Sequence, residues 1–301
     1  MAFTPAGQWA TGSAVTTTTA ATFIPKLWSD EIIANYEKSI VMKPLVRAMK
    51  MTGKKGDTMY IPMPTRSDAN AKVAETQVTL NASTEGEKII TIDQHWEFSK
   101  LIEDIVEKQA LGSLRRFYTE DAGYALGRQV DSDLISATDL WDAKIDSLGG
   151  NPGSSANPHV EGNALEFCDQ AFRDAIQILD DANVPMDNRK MVIPPSARNQ
   201  IMGIDRYVSS DFVNGRGVVN GKIGELYGVD IYTSTNLTAN AAGEKPCLLF
   251  HTDALVIAEQ MSIRTQTQYK QEFLADLMTA DMLYGFDCYR PENGVQIWVQ
   301  G

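Results

Sequence analysis

The chain has 301 residues, of which 43% are apolar, so it can bury a sizeable core in one large domain or two ordinary ones. Its formal net charge of −12 argues against a protein that wraps nucleic acid, because such proteins neutralise phosphates with a surplus of Lys and Arg. The 3 cysteines, an odd number at wide spacing, predict free thiols in a reducing compartment rather than a disulfide framework.

The N-terminal segment has a composition of its own. Residues 1–25 contain no charged side chain and include a threonine run at 16–19. No apolar period would bury one face of this segment, so we expect an extended arm that is either disordered or ordered by a partner. The missing early cation argues against a secretory signal, and no apolar run approaches the roughly 18 residues that span a bilayer. We therefore expect neither export by that route nor a membrane association.

A short helix and a long hairpin are predicted next. Apolar residues at spacings of three and four between positions 28 and 40, followed by Pro44, predict a helix. Residues 51–66 indicate a turn and a strand interrupted by prolines. Alternation in residues 88–101 predicts a second strand with Ile90, Ile92, Gln94 and Trp96 on one face. Because an isolated hairpin is marginally stable in water, we expect this projection to lie on a neighbouring copy.

The longest helical signal lies between residues 113 and 141. Its apolar stripe consists of Tyr118, Ala122, Leu126, Val130, Leu134, Ala137 and Trp141. Asp131 and Asp133 fall on other faces, and Gly112 and Gly123 are the candidate break points. At about 1.5 Å per residue the helix would span about 40 Å, so it is longer than the average helix of a globular domain.

Residues 164–262 have the pattern of a compact α/β unit. An amphipathic helix is predicted over 164–182, with Leu165, Cys168, Phe172, Ile176 and Leu179 on one stripe. A buried strand at 191–193 ends at two prolines, and a second helix starts near Ser196. Further strands are predicted after Gly228 and in the apolar runs at 247–251 and 254–260, and more strands with a turn at 291–294 complete the chain.

The glycine-rich run 215–228 raises the question of a phosphate-binding loop. Such a loop needs four residues between its two glycines and a Ser or Thr after the lysine. Here 5 residues separate Gly215 from Gly221, and Ile223 follows Lys222. The run therefore favours a turn in which glycines adopt positive φ, rather than a nucleotide site.

Other candidate chemistry in the sequence is sparse. Cys247 and His251 would share one face of a strand, yet a structural zinc site needs four ligands and no second pair has matching spacing. His95 and His159 are scattered, and the acids near residue 103 suit a helix N-terminus. We therefore predict no enzyme: no catalytic residue, no cofactor-binding residue, no metal site and no cofactor.

The order of the predicted parts resembles the major capsid proteins of tailed bacteriophages with the Hong Kong 97-type fold. The resemblance is strongest in NRKMVIPPSARNQIM (188–202) followed by GKIGELYGVDIYTSTNL (221–237). It extends to TFIPKLWSDEII (22–33), KKGDTMYIPMP (54–64) and LIEDIVEKQALGSLRRFYTEDAGYALGRQVDSDL (101–134), and so covers nearly the whole chain from about Thr22.

The resemblance implies an α+β chain with five parts. These are an N-arm (1–50), an extended loop or E-loop with its base (51–99), a peripheral domain with a long spine helix (100–163), an axial α/β domain (164–262) and strands that return to the peripheral domain (263–301). Gly53, Gly56 and Gly86 are suitably placed as hinges of the extended loop. The implied function is a virion shell protein that self-assembles into pentamers and hexamers around double-stranded DNA.

The resemblance also implies partners and a location. Only about 20 uncharged residues precede the matching region, shorter than the helical extension of coat proteins that carry their own scaffold, so a separate scaffolding protein is expected. A portal protein and packaged DNA held without sequence specificity are further expected partners, and decoration proteins remain open. Assembly is expected in the bacterial host cytoplasm, with no covalent self-crosslink. Two alternatives stay open: an encapsulin-like nanocompartment shell, and a phosphate-binding α/β enzyme that uses Lys222.

Overall fold

The computed structural model describes residues 40–51, 56–64, 85–105, 114–149, 156–204 and 224–301, together with parts of 67–81. Within these ranges the strands are β1 (Arg47–Lys50), β2 (Thr58–Pro64), β3 (Glu85–Thr91), β4 (Gln94–Glu103), β5 (Ala143–Asp146), β6 (Asn157–Pro158), β7 (Arg189–Ile193), β8 (Glu225–Leu226), β9 (Val229–Thr233), β10 (Glu244–His251), β11 (Leu255–Lys270), β12 (Ala275–Cys288) and β13 (Gly294–Gln300). The helices are α1 (Leu114–Ala137), α2 (Asp169–Asp181) and α3 (Pro195–Met202), with single 3-10 turns at Lys43–Leu45, Thr138–Leu140 and Pro291–Asn293.

A four-stranded sheet in the order β1-β11-β12-β4 carries the long helix α1 on one face. Leu126, Val130 and Leu134 of α1 are buried against Met282 and Tyr284 of β12. Their spacing by four places them on one stripe of the helix, and alternation places the two β12 side chains on one face of the sheet. The expected long helix is thus confirmed over 24 residues, and Gly123 lies inside it without a break.

The second large sheet has seven strands in the order β6-β5-β13-β10-β7-β9-β8. Phe172 and Leu179 of α2 and Ile201 of α3 pack on one face, against Ile193 and Ile297. The opposite face contributes residues such as Leu248 and Phe250 to the core under α1. The two sheets therefore share one hydrophobic core, and the central strands are buried on both sides.

The predicted hairpin forms a separate two-stranded sheet. β2 and β3 pair antiparallel from Thr58↔Thr91 to Pro64↔Glu85. Ile90 is fully buried at the base of the hairpin, where it packs with Met51 and Ile92. The chain then breaks its strand at 92–93 and enters β4 of the four-stranded sheet. The expectation of one continuous strand with Ile90 and Trp96 on a common face is therefore wrong, because its two halves lie in different sheets.

Membership of the two large sheets does not follow the expected division of the chain. β5 and β6 of the 100–163 part lie in the seven-stranded sheet, and β11 crosses the expected boundary at 262/263 within the four-stranded sheet. β13 belongs to the centre of the seven-stranded sheet, so 263–301 is not a single return to the other sheet. The sheet that a strand joins is decided by its hydrogen bonds to strands distant in sequence. The local alternation of apolar residues does not reveal those partners.

Smaller corrections concern the helix starts. α2 begins at Asp169 rather than 164, because Cys168 is extended and its Sγ accepts the backbone N–H of Ala171 as an N-cap. Leu165, expected on the apolar stripe, is 48% exposed. The strand at 191–193, the helix that follows two prolines and the strand after Gly228 are confirmed. The helix expected at 28–43 and the arm before it lie outside the described residues up to position 39.

Candidate functional site

The histidines and cysteines singled out in the sequence serve the fold. His251 ends β10, and its Nδ1 accepts the backbone N–H of Asp253 at 3.2 Å, which closes the turn into β11. Cys247 is buried in the core beside α2, and burial raises the pKa of its thiol. Across the described ranges, no group of three His, Cys, Asp or Glu side chains is arranged to hold a metal ion.

His159 belongs to a polar corner that holds the loop after β6 to the seven-stranded sheet. Its Nδ1 lies 2.5 Å from Asp146 Oδ1, and its ring stacks on Trp298 at a centroid distance of 4.5 Å. The backbone N–H of Val160 donates to Asp146 Oδ2 at 2.8 Å. Glu244 of β10 accepts the N–H groups of Gly162 and Ala164 at 3.0 and 2.7 Å. The Asp146 and Glu244 carboxylates thus accept backbone N–H groups of this loop, and the histidine–carboxylate pair has a structural role.

The glycine-rich run 215–228 is described from Gly224 onward, so Gly215, Gly221 and Lys222 lie outside the described residues. Its end is a turn between β8 and β9, with Tyr227 at φ 50° and Gly228 at φ 78°. The Tyr227 hydroxyl donates to Asp169 Oδ1 at 2.8 Å, and this carboxylate also binds Arg173. The expected positive φ is confirmed at Gly228, and the turn docks on the start of α2.

The β2–β3 hairpin offers one apolar face to the protein and one to the outside. Met59, Ile61 and Met63 point toward the small core that contains Ile90. On the opposite face, the cross-strand pair Tyr60↔Ile89 is exposed by 58% and 42%. Of the expected hinge residues, Gly56 has a φ of +145°, Gly86 lies within β3 and Gly53 is outside the described part. An exposed tyrosine–isoleucine pair on a two-stranded projection is a candidate contact surface.

A second exposed apolar group lies at the turn between β11 and β12. Phe273 and Leu274 are 61% and 66% exposed, and neighbouring Ile105 is 65% exposed. Asp104 donates its backbone N–H to the Leu274 carbonyl oxygen, which places the chain after β4 at this turn. Exposed apolar side chains on the hairpin strands and at this turn indicate candidate surfaces for contact with other protein.

Sequence reasoning missed a junction at the middle of α1. Asp131 is fully buried, although the stripe pattern placed it on another face. Its Oδ1 accepts the backbone N–H groups of Val41 and Met42 at 3.1 and 2.7 Å, and its Oδ2 accepts the Asn236 amide at 2.7 Å. The carboxylate therefore joins the start of the described chain, the long helix and the segment after β9. These partners are 89 to 105 residues away in sequence, so no local signal could identify them.

The comparisons with known proteins agree with this arrangement. The family model described as "Phage capsid protein" matches residues 29–300. The chain belongs to the phage capsid protein family. No curated protein matches the sequence. The described residues include no helix that is long and apolar enough to cross a bilayer.

Solved structures similar to this capsid protein cover almost its whole length. A chain of Mycobacterium phage Che8 is 25% identical, with a TM-score of 0.72, over 91% of this chain and 97% of that one. The capsid of the cyanophage P-SCSP1u is 20% identical with a TM-score of 0.79, and the mature capsid of bacteriophage PhiM1 is 12% identical with a TM-score of 0.74. Both cover 99% of each chain.

The protein is thus a major capsid protein of the Hong Kong 97-type, a structural protein of the virion that forms its icosahedral shell. The family match favours this identification over the encapsulin-like alternative. The long helix and the projecting hairpin are among the parts that the sequence resemblance implied.

Proposed function

We propose that copies of this capsid protein assemble into pentamers and hexamers, and that these close around the double-stranded DNA of a tailed phage. The observation that carries the proposal is the family match over residues 29–300. It is supported by two exposed apolar surfaces, Tyr60 with Ile89 and Phe273 with Leu274, since exposed apolar groups of this kind are expected where a subunit contacts its neighbours.

The parts of the subunit receive their roles from the same proposal. Residues 1–50 are the N-arm, whose last residues pair as β1 with the four-stranded sheet. The β2–β3 hairpin is the extended loop, and α1 is the spine helix over this peripheral sheet. The seven-stranded sheet with α2 and α3 is the axial part, where copies meet around five-fold and six-fold axes. One sequence must adapt to both axes, and Gly56 at the base of the hairpin, with its φ of +145°, suits a hinge there.

Charge is consistent with a container for DNA. A net charge of −12 repels the phosphate backbone, so the shell surrounds the genome without holding it tightly. We further propose that the subunit has no enzymatic activity, that a separate scaffolding protein directs assembly in the host cytoplasm, and that a portal protein occupies one vertex. Decoration proteins, if present, bind the finished shell.

Electron microscopy and sedimentation velocity of the purified chain, alone and with its scaffolding protein, test the proposal. Closed shells, or rings of five and six subunits, are the expected result, and a monomer or dimer under every condition would refute it. Tyr60→Lys places a charge on the exposed face of the hairpin and should abolish shells while the subunit stays folded by circular dichroism. Tyr60→Phe keeps the apolar ring and is the matched control, which should assemble like the original chain.

A further inference from the structure

The outer edge of β11, on the side away from β12, has no role in the proposed function as stated above. β11 extends from Leu255 to Lys270, but its neighbour β1 pairs with it only at Val256 to Glu259. On its other side β12 pairs with it as far as Lys270. No described strand lies beside the outer edge at residues 261–270. Because an antiparallel strand directs alternate N–H and C=O groups to its two sides, about half of the backbone groups in this stretch point away from β12.

Beyond the β-bulges at Glu259–Arg264, and between the charged residues Arg264 and Lys270, this edge lacks the features that normally prevent a further strand from adding. Residues 265–269, Thr-Gln-Thr-Gln-Tyr, are exposed and contain no charge, proline or glycine. The opposite edge strand of the same sheet, β4, carries Glu97, Lys100 and Glu103, and β2 of the hairpin carries Pro62 and Pro64. Charges and prolines are the usual protection of sheet edges, so residues 265–269 of β11 differ from the other long edges of the described structure.

The chain contains a segment whose chemistry fits this edge. Residues 15–24, Val-Thr-Thr-Thr-Thr-Ala-Ala-Thr-Phe-Ile, are rich in β-branched side chains and contain no charge, proline or glycine. They are ten in number, as are residues 261–270 of β11, and at about 3.3 Å per residue each stretch spans about 33 Å as a strand. Neither this Thr-rich segment nor residues 265–269 of β11 carries a charge, so pairing the two stretches removes none of their side-chain charges from water.

We propose that residues 15–24 of a second copy add as a fifth strand to the outer edge of β11 at residues 261–270. This inference rests on the proposed function, because the shell brings copies together at high local concentration. Backbone hydrogen bonds supply the affinity in strand addition, and the side chains at alternate positions set the register. No described part of the same subunit pairs with this edge at 261–270, so we expect its pairing to be a step of assembly.

Hydrogen–deuterium exchange on intact shells and on unassembled subunits provides the first test. In shells, the amides of 261–270 should exchange at least about tenfold more slowly than in free subunits. In the full-length double variant Thr17→Pro and Thr19→Pro, the missing N–H groups should remove this protection. The matched control, Thr17→Val and Thr19→Val, retains β-propensity and should keep it. Equal exchange of this stretch in shells and in free subunits would overturn the proposal.

Cysteine pairing identifies the occupant and its source. Thr267→Cys is made in one tagged population, and a cysteine at each of residues 16–19 in turn is made in another; the native thiols are buried. A disulfide between differently tagged chains is expected in mixed shells. If the arm instead returns to its own subunit, the same two cysteines placed in one chain would form a disulfide within that chain. Such a bridged monomer, or the absence of a disulfide at every position tried, would refute the proposal that the arm comes from a second copy.

The edge can also be altered directly, with assembly followed separately. Thr267→Lys adds a charge of the kind that protects natural edges and should abolish the disulfide and the slow exchange. Ser99→Lys adds the same charge on the exposed, already charged edge strand β4 and should change neither. If the unaltered chain forms no shells by electron microscopy, the proposed function fails. If it forms shells without arm-to-edge disulfides, only the strand addition fails.

Discussion

Replacing Asp131 tests the buried junction at the middle of α1. Asp131→Ala removes the acceptor of two backbone N–H groups, at Val41 and Met42, and of the Asn236 amide. Each buried donor left without a partner costs about 1–3 kcal/mol, and two of the three hydrogen bonds are buried. We therefore expect the free energy of unfolding to fall by about 3–5 kcal/mol, a large fraction of the roughly 5–15 kcal/mol that is typical of a folded domain.

A swap of the two side chains separates hydrogen bonding from packing. Asp131→Asn alone sets the new amide against the Asn236 amide, so two donors face each other and we expect a loss of about 1–3 kcal/mol. Adding Asn236→Asp gives the new amide at position 131 an acceptor, while the carbonyl oxygen at that position can still serve Val41 and Met42. The double variant should regain at least half of the loss, as a double-mutant cycle would report.

Urea denaturation of unassembled subunits, followed by tryptophan fluorescence, measures these differences. Asp181→Asn on the exposed end of α2 removes the same charge from the surface and should stay within about 0.5 kcal/mol of the original chain. A loss below about 1 kcal/mol for Asp131→Ala, or no recovery in the swap, would show that water or other groups satisfy these donors and would refute the argument.

Three further predictions concern a close contact, an ion pair and the thiols. A Cβ added at Gly285 would lie 2.3 Å from the Thr91 carbonyl oxygen, so Gly285→Ala should lower the free energy of unfolding by about 1–3 kcal/mol in urea titrations. Hydrogen bonds from Arg264 hold the pKa of Asp281 below its ordinary 3.8, so Arg264→Gln should destabilise the subunit at neutral pH by an amount that shrinks as the pH falls below 3.8. Burial raises the pKa of the Cys288 thiol to about 11, and Cys168 and Cys247 are buried as well. A thiol reagent should therefore label these three cysteines slowly in folded subunits and at once in urea-unfolded subunits.

Each of these predictions has its own check. Gly123→Ala, at a helical position with nothing described within 4 Å, should stabilise the chain by about 0.5–1 kcal/mol, and equal losses at Gly123 and Gly285 would contradict the steric argument. The sign for Asp281 follows from its lowered pKa: the carboxylate contributes stability above pH 3.8 and loses it as pH falls through the folded value. An Arg264→Gln effect that is unchanged at low pH would argue for packing instead. Rapid labelling of all thiols in folded subunits would contradict their burial.

Local signals in the sequence predicted what depends on local geometry. The long helix followed from apolar spacing by three and four, and the short strand at 191–193 followed from an apolar run that ends at two prolines. The alternation predicted around Ile90 is correct within β3, but its extension to Trp96 on the same face is wrong. The sequence does not show that the chain changes sheets at 92–93. The helix α2 begins five residues after the predicted start at 164, because Cys168 is its N-cap. A cysteine is a weak hydrogen-bond acceptor and is not expected at this position from the sequence.

The junction at Asp131 and the sheet memberships depend on contacts between distant parts of the chain. An aspartate on a helix is normally solvated, and only the arrival of Val41, Met42 and Asn236 makes its burial favourable. Likewise, the alternating residues of β13 fit either sheet, and its pairing with β5 and β10 decides the matter. The contact surfaces were predicted as an arm and a projection, whereas the residues at their exposed faces required the structure.

The position of β13 has a consequence for how the chain is made. This strand lies between β5 and β10 in the seven-stranded sheet, yet the ribosome synthesises it after every other described strand. Until it emerges, β5 and β6 have no connection to the rest of that sheet, and the apolar face beneath α2 is missing Val295 and Ile297. A chain interrupted before β13 therefore lacks part of the core beneath α2 and the strand that joins β5 to β10. The topology thus couples completion of the seven-stranded sheet to synthesis of the last described strand.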